Sequence, residues 1–137
     1  MAWLRALAVW LLIVAVETLH GIARTLWLVP QVGDHAARQI GVLTGSLLIF
    51  LVTWLAIGWI GMRRTRALLA AGAFWVVLML AFEIVLGRVV FGFGWERIAA
   101  EFDVSRGGLM GFGLAALLLM PLLTARMRGR VDPGPSP

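Results

Sequence analysis

Two glutamates lie within apolar segments of this chain, and they are the residues from which chemistry is first expected. Glu17 stands in the sequence Ala-Val-Glu-Thr-Leu-His-Gly and Glu83 in Ala-Phe-Glu-Ile-Val-Leu-Gly, so each is followed by a glycine four residues later. A carboxylate inside a membrane segment is energetically expensive, and such residues often bind ions or carry protons. The sequence therefore predicts either a proton- or cation-handling site or a structural ion pair at each glutamate.

His20 follows Glu17 by three residues, so the two side chains share one face of a helix. Di-metal carboxylate sites also use the spacing Glu-x-x-His, but they need several further ligands. Leu86 stands where a second histidine would follow Glu83, and the chain contains no cysteine. We therefore expect no metal site and no cofactor, and we interpret His20 as a group that tunes the proton affinity of Glu17.

Four arginines are candidate partners for the two carboxylates. If consecutive helices form hairpins, Arg38 at the start of the second helix comes near the first glutamate. Arg106, at the start of the fourth helix, comes near the second glutamate. Arg24 and Arg88 lie further along the same helices as the glutamates themselves. Structural ion pairs and a site that binds a proton, a cation or a substrate are both compatible with this arrangement.

The composition is that of an integral membrane protein. Of the 137 residues, 61% are hydrophobic, and the mean hydropathy is +0.95, whereas a soluble domain is usually about 45–50% apolar. Four apolar runs approach or exceed the roughly 20 residues that a helix needs to cross a bilayer. We predict an all-α protein with four transmembrane helices, over about residues 3–27, 35–62, 67–90 and 104–125.

Local signals define the ends of these helices. Pro30 and Gly33 are expected to end the first helix, and Asp34 is expected to cap the second through its side chain. Between the third and fourth helices, apolar and charged residues recur at helical spacing over residues 95–103. This pattern predicts a short amphipathic helix on the membrane surface, with Asp103 as the cap of the fourth transmembrane helix.

The arginines collect on one side of the predicted bundle. Arg5 and the clusters at residues 63–66 and 126–130 lie on that side, opposed only by Asp132. By the positive-inside rule, both termini are then cytoplasmic. All twelve basic residues are arginine, which we interpret as GC-rich bacterial coding, so the expected location is a bacterial inner membrane. Because the net charge of +5 resides at helix ends, no nucleic-acid partner is expected.

We expect one domain over residues 1–130, followed by a disordered tail over residues 131–137. The order of glutamate, acidic residue and arginine cluster occurs twice, which predicts two tandem hairpins over residues 1–66 and 67–130. Convergence on the same pattern without duplication is an equal alternative. Gly41 and Gly45, like the glycines of the fourth helix, have the spacing of close helix contacts. They predict a homo-oligomer or packing against a larger membrane complex.

Phe82-Glu83 resembles the Phe-Glu pair in the motifs of the proteobacterial antimicrobial compound efflux family, whose members have four helices in two tandem hairpins. Glu17 is similar in its placement to the membrane glutamate of the small multidrug resistance family. The resemblance covers a handful of residues and implies proton-coupled efflux. The arginine and histidine expected before the second glutamate are missing from residues 75–81, and the aspartate and asparagine expected in the even-numbered helices are missing too.

These observations together predict a small inner-membrane transport protein, coupled to protons or a cation through Glu17 and Glu83 and working as a homo-oligomer in the lipid bilayer. The alternative is a non-catalytic accessory or assembly subunit of a larger membrane complex, in which the glutamates form structural ion pairs. The sequence offers no arrangement of a nucleophile with a general base, so the protein is not expected to be an enzyme.

Overall fold

The computed structural model of the protein describes residues 2–100, 103 and 110–131. Within these ranges all regular structure is helical, and there are five helices. They are α1 (Ala2–Val32), α2 (Asp34–Ile60), α3 (Thr65–Val90), α4 (Trp95–Ala100) and α5 (Met110–Met127). By length and hydropathy, α1, α2 and α3 can each cross a membrane, whereas the apolar part of α5, Gly111–Met127, is shorter.

Several predicted features lie outside the described residues. These are Arg106 and the other residues at the start of the predicted fourth transmembrane helix, and residues 132–137 of the predicted tail. Asp103 itself is described, but the residues that it was predicted to cap are not. The amphipathic segment is described in part, as the six-residue helix α4. Val131, the first residue assigned to the tail, is partly buried against the core.

The prediction that Asp34 caps α2 is wrong, because Asp34 is the first residue of the helix itself. The N-cap is Gly33, which has a φ of 86°. Glycine adopts such a positive φ without steric cost, so a single residue is sufficient to turn the chain from α1 into α2. The carboxylate of Asp34 instead forms an ion pair with Arg38 at 3.3 Å, one turn along the helix.

The prediction that Pro30 ends the first helix is also wrong, since α1 continues through Pro30 and ends before Gly33. Pro30 cannot donate a hydrogen bond to the carbonyl of Leu26, and its ring crowds that carbonyl. The helix widens immediately before the proline into a π-helical segment, Arg24–Leu28, in which Val29 N–H donates to Arg24 O. The wider turn is the local solution that keeps the helix continuous.

The C-terminal end of α3 widens in the same way. Leu86–Val90 is π-helical, and Phe91 N–H donates to Leu86 O at 3.1 Å. No proline follows within this segment, so the cause given for α1 does not apply here. Both helices that carry an embedded glutamate therefore change their helical pitch a few residues beyond it.

The hydrophobic core lies between α1, α2, α3 and α5. The most extensive contacts join α1 to α2, followed by those of α5 with α3 and with α2, and α1 also touches α3. Trp75 of α3 is fully buried and donates its Nε1–H to Ala6 O of α1 at 2.9 Å. Large apolar side chains such as Leu43 and Leu55 are exposed on the outside of the bundle, as is typical of a surface that contacts lipid.

Three arginines cover the C-terminal end of α2. Arg5 Nη1 donates to Trp59 O at 2.9 Å, and Arg128 Nη1 donates to Trp54 O at 2.6 Å. The guanidinium of Arg130 packs onto a glycine of the same two turns. Trp59 O is one of the last carbonyls of the helix, which have no partner within it, and a cation near this end also interacts favourably with the helix dipole. The first and last described segments of the chain thus meet at one end of α2.

The closest approach of two helices occurs where Gly72 of α3 packs against the backbone carbonyl of Leu118 in α5. We expect Gly72→Ala to lower the free energy of unfolding by about 1–3 kcal/mol, because the added methyl group would overlap the facing backbone, which cannot move aside alone. The measurement is denaturation in mixed detergent micelles, followed by tryptophan fluorescence.

Gly113→Ala is the matched control, since a methyl group at Gly113 would meet only Val42 Cγ1 at 3.8 Å, an ordinary contact. Its effect should stay within about 0.5 kcal/mol of zero. Equal destabilisation by the two substitutions would show that the close contact at Gly72 does not limit the packing of α3 on α5.

Candidate functional site

The buried face of α1 changes from apolar to polar partway along the helix. The apolar part ends at Ile13, and Glu17, His20 and Arg24 follow at steps of four, three and four residues. This spacing keeps all four side chains on one side of the helix. The side chains of Glu17 and His20 are 26% and 18% exposed, respectively. The polar residues therefore continue the surface with which α1 packs into the bundle.

The face of α2 that meets α1 changes in residue size at the same level. Its buried residues recur every fourth position: they are small in the first half (Ala37, Gly41, Gly45) and larger in the second half (Ile49, Thr53, Ile57). Because residues late in α1 face residues early in α2, the small half lies opposite the polar part of α1. The space left by the missing side chains of α2 is filled by the long polar side chains of α1.

The glycines of α2 are in direct contact with these charged groups. A methyl group added at Gly45 would lie 2.7 Å from Glu17 Oε2, and one added at Gly41 would lie 3.1 Å from Arg24 Nη1. We refer to Glu17, His20, Arg24 and the facing residues 41–45 as the polar cleft. The predicted close approach at these glycines therefore occurs within one protomer, and it brings side chains rather than a second helix backbone onto α2.

His20 connects Glu17 to α2. His20 Nε2 lies 2.6 Å from Thr44 Oγ1, and the Thr44 hydroxyl donates to Ile40 O at 3.2 Å within α2. On the other side of the ring, His20 Nδ1 lies 4.0 Å from Glu17 Oε2. That distance suits an ion pair and exceeds the length of a hydrogen bond. The ring thus stands between a hydroxyl at hydrogen-bonding distance and a carboxylate at ion-pair distance.

One oxygen of Glu17 is buried and has no hydrogen-bond partner in the described part of the chain. Among the residues that the structure describes, no donor makes a hydrogen bond to Glu17 Oε1. Leaving a buried polar atom unsatisfied costs about 1–3 kcal/mol, and more for a charged group. Atoms of this kind in folded proteins usually signal a bound water or ion, or a functional role.

Two further charges act on this carboxylate. Arg24 and Glu83 both lie close enough to Glu17 to interact with it electrostatically. Phe82 packs edge-on against Trp10 of α1, with 6.3 Å between ring centroids, and this contact holds the neighbouring part of α3 beside α1. Within the described ranges, no three His, Asp or Glu side chains are grouped so as to hold a metal ion. The two embedded glutamates therefore belong to one electrostatic environment.

The remaining candidates lie elsewhere. Arg38 is paired with Asp34, and the residue that faces Glu17 is Gly45, seven positions further along α2. Arg88 is exposed; its Nη1 donates to Phe93 O at 3.2 Å, and its guanidinium stacks over a tryptophan ring of α4 at 4.7 Å. Arg106 is outside the described residues. The structure thus brings together the candidates of α1 and the second glutamate, while Arg38 and Arg88 make local contacts.

Sequence reasoning identified the charged residues but missed the surface that receives them. Thr44 is a direct partner of His20, and Gly41 and Gly45 receive charged side chains. The sequence does contain a signal for this surface. Positions 37, 41 and 45 are small residues spaced four apart, and larger residues follow at the same spacing from position 49 onward.

A double-mutant cycle tests the contact between Glu17 and Gly45. We expect Gly45→Ala to destabilise the protein less than Gly72→Ala, because the obstructing atom is the end of a flexible side chain. We also expect the cost to shrink by at least about 0.5 kcal/mol in a Glu17→Ala background, because the added methyl group then has free space. Unfolding in mixed micelles supplies all four free energies.

The control cycle combines Glu17→Ala with Gly113→Ala, whose effects should add because Gly113 contacts α2 at a different residue. If the effects of Glu17→Ala and Gly45→Ala on the free energy of unfolding are additive too, the direct contact between Glu17 and residue 45 is contradicted.

The sequence was compared with protein families, curated proteins and solved structures. No family model matches it, and no curated protein or solved structure shows significant similarity. The polar cleft is therefore the feature of the molecule that indicates its function.

Proposed function

We propose that this protein is a small membrane transport protein, and that Glu17 and Glu83 couple transport to a proton or a cation. The observation that carries the proposal is Glu17 Oε1, which is buried without a hydrogen-bond donor among the described residues. A purely structural carboxylate gains most when both oxygens are satisfied. An oxygen left open inside a polar cleft can instead receive a proton or contact a cation.

His20 gives the carboxylate a route for proton exchange. The ring can hold a proton on Nδ1, facing Glu17, or on Nε2, facing Thr44. If Thr44 donates to the backbone of α2, Nε2 carries a hydrogen and Nδ1 is free to accept a proton from the glutamate. If Thr44 donates to the ring instead, Nδ1 carries the hydrogen and the glutamate accepts. A rotation of one hydroxyl thereby links the two proton positions.

The second glutamate supplies the coupling. Because the two carboxylates interact electrostatically, the charge on one affects the other. Arg24, held between the glycines of α1 and α2, offers a fixed positive charge beside Glu17. A cation entering the polar cleft would compete with a proton for the same negative charge, which is the basis of coupled exchange.

We place the protein in a bacterial inner membrane with both termini in the cytoplasm and with four spans in two tandem hairpins. The exposed apolar surface and the three helices of membrane-spanning length support membrane insertion. The arginines around the C-terminal end of α2 support a cytoplasmic position for that end. The π-helical ends of both α1 and α3 support a relation between the two hairpins.

We also propose that the working unit is a homo-oligomer. A protomer of this size encloses little space, and the polar cleft lies at one helix pair. Since the glycine face of α2 is occupied by α1, the contact with a second copy would use the exposed face that carries Leu43, Leu47 and Leu51.

An accessory subunit with structural glutamates is the competing proposal. It is favoured by one observation: the Glu17 carboxyl packs onto α2, as a residue that fixes helix register would. The two proposals predict different effects of Glu17→Gln, which keeps the shape of the side chain but cannot exchange a proton.

The test uses the full chain reconstituted in vesicles with an entrapped pH-sensitive dye, with a potassium diffusion potential as the driving force and with Na⁺ and tetraphenylphosphonium as the probe cations. We expect proton movement above the level of protein-free vesicles, and we expect Glu17→Gln to slow it by at least about 10²-fold, since proton transfer by a positioned group contributes that much. Glu96→Gln, on the exposed part of α4, is the control and should behave as the wild type.

Thermal unfolding of the same variants separates the two proposals. Transport predicts that Glu17→Gln is as stable as the wild type or more stable, as expected where function opposes stability. The accessory subunit predicts instead that Glu17→Gln lowers the free energy of unfolding by about 3–5 kcal/mol, the cost of breaking a buried pair. If that loss is found, and if vesicles with the wild-type protein behave like protein-free vesicles for every probe, transport is contradicted and the accessory subunit is supported.

A further inference from the structure

An apolar groove opens toward the outside of the bundle between α1 and α2, away from the polar cleft. Its volume is about 440 Å³. Small residues, Ala8 and Ala56, line it together with Val52, while Leu12, Leu55 and Trp59 form its sides. Leu12, Leu55 and Trp59 are each more than half exposed. The groove exists because each helix carries alanine at this level, where larger side chains would fill the space between the helices.

Arg5 stands at one end of this groove. Its guanidinium lies 5.4 Å from the ring centroid of Trp59, a residue of the groove itself, and its Nη1 donates to Trp59 O. These two contacts hold a side chain that would otherwise be mobile. Because a guanidinium has five N–H donors and Arg5 is an exposed residue, donors remain for a ligand outside the protein.

We propose that this groove binds one acyl chain of an anionic phospholipid and that Arg5 binds its phosphate. Charge and polarity are complementary to such a lipid, because a fixed guanidinium lies at the end of a groove with apolar walls. Arginine binds phosphate through two parallel hydrogen bonds. Arg63 and Arg64, both exposed in the loop that follows α2, add positive charge at this end of the helix.

The dimensions agree with a lipid chain. From Arg5 to Leu12 the helix rises roughly 10 Å, at about 1.5 Å per residue, which is about a third of the hydrocarbon thickness of a bilayer. The groove thus takes the part of a chain nearest its headgroup. Basic residues beside a groove between transmembrane helices are a known arrangement for anionic lipids on the cytoplasmic side. The inference rests on insertion in a membrane and is independent of any role of Glu17.

The test is lipid titration of the purified full chain, with bound lipid counted by native mass spectrometry. Phosphatidylglycerol and phosphatidylcholine with the same acyl chains are compared. We expect one phosphatidylglycerol to bind about tenfold more tightly than phosphatidylcholine, as for one charged hydrogen-bonding contact. Arg5→Gln should abolish the preference, and Arg5→Lys should retain part of it because it keeps the charge. Ala8→Leu should weaken the binding of both lipids by filling the groove.

Two control variants exclude general effects of charge. Arg97→Gln removes the same charge from α4, where Arg97 stacks on Phe93, and should leave the preference unchanged. Glu17→Gln should also leave it unchanged, so that failure of the transport proposal and failure of this one are distinguishable. Unfolding of each variant without added lipid, by tryptophan fluorescence, establishes that it is folded before it is titrated.

Several results would overturn the proposal. These are equal binding of the two lipids to the wild type, an unchanged preference in folded Arg5→Gln, or equal competition by glycerol phosphate without acyl chains. A dimer that Ala8→Leu dissociates would assign the groove to a second copy of the chain instead of a lipid.

Discussion

The contact between the carboxylate of Glu17 and the bare backbone at Gly45 is the constraint on which the rest of the bundle depends. A side chain at position 45 would occupy the space of the carboxyl oxygen, which lies 2.7 Å from where its first atom would be. At the polar cleft α1 and α2 therefore match in volume, because the long polar side chains of α1 meet the glycines of α2. Interiors packed as densely as crystals require such matching. In this protein the match in volume allows charged side chains to lie between two helices that are otherwise apolar.

Much of the fold follows from composition and periodicity. The first three apolar runs are helices long enough to cross a membrane, and the segment after α3 contains a short helix. The helix ends were harder to predict, because the relevant residues compete locally. Gly33 permits a one-residue turn through its positive φ, so that Asp34 enters the helix. Pro30 is tolerated because the preceding turn widens to a π-helix, a choice that depends on neighbouring packing as well as on the proline.

The polar cleft shows where sequence reasoning reaches its limit. Charge within an apolar run was sufficient to select Glu17 and Glu83 as candidates. Their partners depend on the register between helices, that is, on which residue of one helix lies opposite which residue of the other. A hairpin predicted from sequence determines that register only to within about two turns. Arg38 was placed opposite Glu17 on that basis, whereas the facing residue is Gly45. Thr44 could not be distinguished from other helical hydroxyls until His20 was placed beside it. Register is set by volume matching over the whole interface, which single residues do not reveal.

The arginines at the C-terminal end of α2 have a consequence for the order in which the protein is completed. Arg5 is synthesised long before Trp59, and Arg128 and Arg130 long after it, yet all three lie at the last turns of the same helix. A nascent chain that has inserted α1 and α2 can form only the first of these contacts. The end of α2 stays incompletely covered until residues 128–130 have been synthesised. A chain truncated before Arg128 would therefore keep only the Arg5 contact of the three at this helix end.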